Sequence, residues 1–556
     1  MTLERTGGQI LVDQLAAHGV EHAFCVPGES YLAVLDALHD SSIALTVCRQ
    51  EGGAAMMAEA SAKLTGKPGI CFVTRGPGAS NAFPGLHIAQ QDSTPMLLFV
   101  GQVERSALGR DAFQELDYVA VFSSVAKWVV EITDAARIPE LVSRAFHVAA
   151  SGRPGPVVIS LPEDMLTDTA MVPDASPTPA SDAYPSPSQW EAFARLLKDA
   201  ERPVAILGGS RWSAEAVRQF EAFAARAQIP VYCSFRRQML FNADHECYGG
   251  DLGLGANPDL LASIKGADLL LLIGGRLSEI PSQGYTLLDI PQPRQKLVHV
   301  LPGAEEIGKL YHPTLGIVAS PASFAAGLGD LDLPAPSNSR HQRCADAHSS
   351  YVRWSDPKAV RVPGDLQMGE IMAQLRETAP ADAIFCNGAG NYATWLHRFW
   401  PFRSYATQLA PTSGSMGYCI PSAVGAKRIA PEKTVIAFAG DGCFLMNGQE
   451  FATAVQYALP IIVILIDNGM YGTIRMHQER HYPGRVSGTD LKNPDFAAYA
   501  RAFGGEGETI ERTDEFLPAF QRALKSRVPT ILHCKLSPEA ITPTTTLTAL
   551  REASSR

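Results

Sequence analysis

No two of the ten cysteines are closer than 14 residues, so the 556-residue chain has no CxxC pair. This spacing excludes the short thiolate clusters of a zinc knuckle and the dithiol of a redox centre. Reduced, buried thiols in the cytoplasm are the expected state. A basic excess is also lacking: 47 Lys and Arg stand against 57 Asp and Glu, a formal charge of −10. A phosphate backbone needs a concentrated basic footprint, so no nucleic-acid partner is expected. Long apolar runs are missing too. The longest, such as 460–466, are far too short to span a bilayer as a helix, and the start of the chain has no apolar stretch of a secretory signal. No membrane association is expected.

What is present is a chain too long for one hydrophobic core, with 46% hydrophobic and 19% charged residues, the composition of a compact protein of several domains. Short apolar strands alternate with Gly- or Pro-marked turns and helical runs, as in 22–26 before Pro27-Gly28 and 69–74 before Gly76-Pro77-Gly78. That alternation predicts parallel α/β domains with ligand crevices at the strand C-termini. Five prolines within 171–188 rule out a continuous helix or central strand there and mark a linker. A second α/β unit follows, with 267–273 as a buried strand. Pro and Ser at 334–339 announce another boundary. The expected organisation is an N-terminal domain over 1–170, a linker over 171–188, a central domain over 189–335 and a linker over 336–360. A C-terminal domain over 361–545 and a tail over 546–556 complete it.

The densest local pattern is the apolar run 434–439 followed by Gly440-Asp441-Gly442-Cys443, and a second apolar run, 461–466, followed by Asp467-Asn468-Gly469. Glycines permit close approach of a phosphate to backbone N–H groups. If the two strands are neighbours, Asp441 and Asn468 bring hard oxygen ligands to one point, as Mg²⁺ requires when phosphates complete its shell. Taken singly, Asp441 is equally a helix cap and Asn468 a turn residue. The Gly-Lys-Ser/Thr nucleotide loop is absent, and no GxGxxG follows a suitable strand.

With this segment the chain resembles the thiamine-diphosphate enzyme superfamily, particularly the large catalytic subunit of acetolactate synthase and its relatives, over nearly its whole length. The resemblance implies three successive parallel-sheet α/β domains, the first binding the aminopyrimidine and the last the diphosphate and Mg²⁺. It implies thiamine diphosphate and Mg²⁺ as cofactors, a small 2-oxo acid as substrate, and a homodimer or homotetramer in which a second subunit completes each site. The metal ligands would be Asp441, Asn468 and the Met470 carbonyl. Gly388, Ala389, Gly390, Asn391, Gly442 and Cys443 would hold the diphosphate, and Met416 in Gly414-Ser415-Met416-Gly417 would bend the cofactor.

By the same resemblance Glu51, in Cys48-Arg49-Gln50-Glu51-Gly52-Gly53, is the acid that shares a proton with the aminopyrimidine; a helix-capping role is its structural counterpart. Gln114, beside Phe113, faces either the reacting carbon or a subunit interface. Glu29 replaces the small residue usual in acetolactate synthases, and as an acid it is closer to the simple 2-oxo acid decarboxylases, whose histidine pair is missing near 101–106. It reads as a proton donor or as a surface acid beside a turn. His477 stands where the synthases carry Trp, as a donor to an intermediate or a solvated loop residue. The segment after Gly274-Gly275-Arg276 lacks the second basic residue that recognises a 2-oxo acid acceptor, and Asp467 departs from the usual Asn-Asn pair. No flavin pattern is evident, so FAD is not expected. The implied activity is decarboxylation followed by acyl-anion transfer, with simple decarboxylation to an aldehyde or cofactor binding without turnover as alternatives.

Overall fold

The computed structural model describes residues 4–554. Its frame is three six-stranded sheets, each wholly parallel, with a two-residue antiparallel pair joining Arg5–Thr6 to Thr169–Ala170. Strands such as Val435–Gly440, Ile462–Asp467 and Leu269–Ile273 are buried along their entire length. This follows from covering both faces with helices: a strand with no wet side has no reason to alternate polar and apolar residues.

The N-terminal sheet runs, edge to edge, through Ala44–Val47, His22–Cys25, Gly69–Val73, Met96–Gln102, Pro156–Pro162 and Trp128–Glu131. The C-terminal sheet runs through Gln408–Leu409, Ile384–Asn387, Val435–Gly440, Ile462–Asp467, Thr530–Lys535 and Glu506–Ile510. Numbered within each sheet, both have the order 2-1-3-4-6-5. The middle sheet, from Tyr248–Leu252 to Leu315–Val318, has the different order 3-2-1-4-5-6. In each sheet the order reverses beside strand 1, and there the diverging connections open a crevice at the strand C-termini.

The two like sheets pack through equivalent helices. Glu51–Thr65 and Cys419–Ile429 each follow strand 2 of their sheet and lie against one another. A small residue makes the approach possible: a Cβ on Gly425 would stand 2.8 Å from the Met57 carbonyl oxygen. One apolar cluster runs through this contact and holds residues of both sheets, whereas the middle sheet has a core of its own.

The segment 171–188 is largely without regular structure, and Ser186 then caps the helix Pro187–Asp199 reciprocally with Gln189. The region 336–360 contains the 17-residue helix Asn338–Trp354. Most of the tail forms the helix Leu547–Ser554, packed on Gly472–His481. All ten cysteines are free and buried, and among the described residues no helix is long and apolar enough to cross a membrane.

Candidate functional site

The crevice of the C-terminal sheet holds a cavity of about 250 Å³. Strand 1 ends into Gly388-Ala389-Gly390-Asn391 and strand 3 into Gly440-Asp441-Gly442-Cys443, and strand 4 reaches Asn468 and Met470 on the same side. The strands carrying Asp441 and Asn468 are direct neighbours, with Gly440 opposite Ile466. Ala389, Gly390, Asn391, Met416, Asp441, Gly442, Cys443, Asn468 and Met470 all line the cavity. Gly388 stands just behind it, its N–H donating to the Tyr392 hydroxyl at 3.1 Å.

Glycine is required here by space. A Cβ on Gly442 would lie 2.6 Å from the Tyr471 ring, and one on Gly440 2.5 Å from the Tyr392 ring. Gly390 has φ +148°, within the left-handed half of the map. The backbone therefore lies bare along the cavity, as close contact with a phosphate needs.

Asp441 is buried and highly constrained. One oxygen accepts the Gly442 N–H at 2.9 Å, and the other accepts the Gly469 N–H at 3.0 Å and the Asn493 amide at 2.8 Å. Burial raises its carboxyl to about 6. Asp467 behaves oppositely. Its oxygens are held by His533 at 2.8 Å, Lys535 at 2.7 Å, and the Asn493 amide at 2.8 Å. These partners, outweighing the penalty of burial, hold it well below the usual carboxylate range. The acid that departs from the usual amide pair is thus neutralised by the adjoining strand, where it lies opposite Lys535.

The donor set fits Mg²⁺ bound with a diphosphate. Asp441 and Asn468 offer a carboxylate and an amide oxygen to one cavity that Met470 also lines. No group of three or more His, Cys, Asp or Glu forms a metal cage among the described residues, so a hard cation here would need phosphate oxygens to complete its shell. The sequence did not single out Asn493, Tyr392, His533 or Lys535. Tyr392 adjoins the Gly-Ala-Gly-Asn run, but the other three carry no local signal.

Glu51, Glu29 and Gln114 gather elsewhere, at the C-terminal edge of the N-terminal sheet. Glu51 opens the helix Glu51–Thr65, yet the capping is done by Gln50, whose side chain accepts the Gly53 N–H at 2.9 Å. The Glu51 carboxylate is left to the Asn81 amide at 2.9 Å and stands 3.4 Å from where a Cβ on Gly78 would sit. Gln114 lies in the left-handed region at φ +64° and its carbonyl accepts the Gly76 N–H at 2.9 Å. Glu29 is 68% exposed and stands 3.6 Å from the Arg75 guanidinium. His477 is exposed on Gly472–His481 and does not line the cavity, which that helix meets through Gly472, Thr473 and Ile474. Among the described residues every group lining the cavity lies at or beyond position 389, and Glu51, Glu29 and Gln114 stand outside it.

Comparison with known proteins covers the N-terminal, central and C-terminal regions. Residues 5–121 match the model of the thiamine pyrophosphate enzyme N-terminal TPP binding domain, 190–328 the central domain, and 388–534 the C-terminal TPP binding domain. The acetolactate synthase isozyme 2 large subunit of Escherichia coli (strain K12) is 31% identical over 535 residues, 95% of each chain. The acetolactate synthase large subunit of Corynebacterium glutamicum is 33% identical over 93% of this chain and 84% of its own. The probable acetolactate synthase large subunit of Methanocaldococcus jannaschii is 30% identical over 97% of this chain and 93% of its own.

Proposed function

Since the chain belongs to the thiamine pyrophosphate enzyme family, we propose that it decarboxylates a small 2-oxo acid and transfers the resulting acyl-anion equivalent to an acceptor, as its acetolactate synthase relatives are named for. The observation that carries this reading is the crevice where Asp441, Asn468 and the bare backbone of 389–391 and 442–443 meet in one cavity.

In this reading Asp441, Asn468 and the Met470 carbonyl hold Mg²⁺, and the glycine turns hold the diphosphate. Thiamine diphosphate bound there supplies an electron sink for carbanion chemistry. Met416 props the bound molecule from the cavity wall. Glu51 of a second copy, half-buried and free of capping duty, shares a proton with the aminopyrimidine nitrogen. Gln114 closes the wall on the same side. The assembly is taken to be a homodimer or homotetramer, and the absence of Glu51 from the cavity lining supports a site completed by a second copy.

Release of an aldehyde is the second reading, and Glu29 favours it. An exposed acid at the C-terminal edge of the N-terminal sheet can take a proton from solvent and pass it to carbon, although the Arg75 guanidinium 3.6 Å away attracts the carboxylate. Incubating the protein with thiamine diphosphate, Mg²⁺ and ¹³C-labelled pyruvate, then identifying products by NMR, separates them. Acetolactate is expected. Acetaldehyde alone would overturn acyl transfer, and no turnover across a panel of 2-oxo acids would overturn both.

A further inference from the structure

Arg236 enters the core from the end of the middle-sheet strand Val231–Ser234 and is 4% exposed. Its charge is only partly met: the centre of the Phe235 ring lies 4.8 Å from the guanidinium carbon, and Asp92 attracts it without forming an ion pair. Among the described residues no carboxylate forms an ion pair with it, and its buried Nε has no hydrogen-bond partner. The acid of the surrounding network, Asp92, is already taken by Lys63, Thr412 and Arg237. The Arg236 backbone is left-handed, at φ +57°, an unfavourable conformation for a residue with a Cβ. A buried guanidinium with no carboxylate in ion-pair contact, held on strained backbone, has charge left over for an anion.

Two contacts say which anion. Arg236 donates to the Pro411 carbonyl, at the root of the loop that carries Met416 into the cofactor cavity. It also lines a second cavity, between the middle and C-terminal domains, whose wall includes Gly390; Gly390 lines the cofactor cavity as well. The guanidinium therefore stands across the Gly390 turn from the cofactor cavity. In a dry interior such a charge acts over several ångströms with little screening.

We propose that Arg236 is a positioning residue of the diphosphate site: the middle domain supplies through it the charge that offsets the bound diphosphate. The inference rests on the thiamine-diphosphate reading above. It gives the middle domain a part in binding the cofactor that the residues lining the cavity do not reveal.

The test measures two quantities on the full-length wild type, R236Q and R236K. One is the melting temperature without ligand. The other is the dissociation constant, by calorimetry, of thiamine diphosphate and of inorganic diphosphate, each with Mg²⁺. A charge-assisted interaction is worth enough that R236Q is expected to bind both at least about tenfold more weakly. Its ligand-free melting temperature is expected to equal or exceed that of the wild type, since an uncompensated buried charge has been removed. R236K is expected to regain most of the affinity. Wild-type affinity in R236Q overturns the inference. So does an R236Q chain that melts lower or fails to fold, because the guanidinium would then be serving the fold. A wild type that binds no thiamine diphosphate overturns the proposed function itself, a result read before either variant is compared.

Discussion

Tyr392 fastens two sides of the diphosphate cradle at once. Its hydroxyl accepts the Gly388 N–H at 3.1 Å and donates to the Cys443 sulfur at 3.1 Å. Burial pushes the phenol well above its ordinary range, so it remains a neutral donor. Tyr392→Phe keeps the ring and strips both bonds, leaving the Gly388 N–H without its partner. The expected cost is about 1–3 kcal/mol, read as a lower melting temperature together with weaker thiamine diphosphate binding. Glu51 differs in kind, because its neighbours make little structural use of it. Glu51→Gln is expected to leave the melting temperature and cofactor affinity close to wild type while turnover falls about 10²- to 10⁴-fold. Calorimetry alongside kinetics checks this, and an equal loss in affinity and turnover would return Glu51 to a structural role.

At the scale of elements, the helix Gly472–His481 is both a wall of the cavity and a mount for the C-terminal helix Leu547–Ser554. Met476, Ile541 and Leu547 form a small apolar cluster between them, with Met470 and Leu550 against it. Glu479, 1% exposed, is the polar fastening: it pairs with Arg551 at 2.9 Å and Arg475 at 2.6 Å and accepts the Gly484 N–H at 2.9 Å. Arg551, then the Gly484 N–H and Arg475, bring its carboxyl down from 4.5 to about 2. A carboxyl lowered in the folded state lends stability that is complete above its unfolded value and lost as pH falls through its folded one. The fastening is therefore expected to be intact above about pH 4.5 and released towards pH 2. Glu479→Gln should mimic the acid state at neutral pH, raising amide exchange in 547–554 by an order of about tenfold, equivalent to ~1.4 kcal/mol. Unchanged exchange would mean that the apolar cluster alone holds the helix.

The same helix shows what could be read from sequence and what could not. The strands before Asp441 and Asn468 were legible because parallel strands covered on both faces must be continuously apolar. Their adjacency was legible only as a condition, since strand order is set by crossovers and not by local pattern. His477 illustrates the limit: its neighbour Met476 is buried, and one residue further the helix has turned by about 100°, which carries the imidazole to solvent. Asp467 is the converse case. Its partners His533 and Lys535 lie 66 and 68 residues away, joined by strand pairing that leaves no trace near Asp467 itself. Arg236 also gave no sequence signal, because an arginine after a strand is ordinary until its burial and missing partner are seen.

For the whole molecule, the proposed assembly turns on two like-ordered sheets, of which only the C-terminal one lines the cofactor cavity among the described residues. Within a chain, equivalent helices pack side by side and bury Met57 against Gly425, while the crevices that hold Glu51 and Asp441 stay apart. A twofold assembly that sets the N-terminal crevice of one copy against the C-terminal crevice of the other would close two sites at once. The arrangement makes a sharp prediction for mixed assemblies. Glu51→Gln and Asp441→Asn chains should each be nearly inactive alone, since both sites of either homodimer lack one group. Exchanging subunits between them yields mixed dimers in which one site carries both substitutions and the other carries neither. With random pairing in equal amounts, roughly a quarter of wild-type activity per chain should return. The rise should follow the rate of subunit exchange and vanish when exchange is blocked by crosslinking beforehand. If Glu51 instead served the cavity of its own chain, every site in the mixture would keep one defect, and mixing would restore nothing.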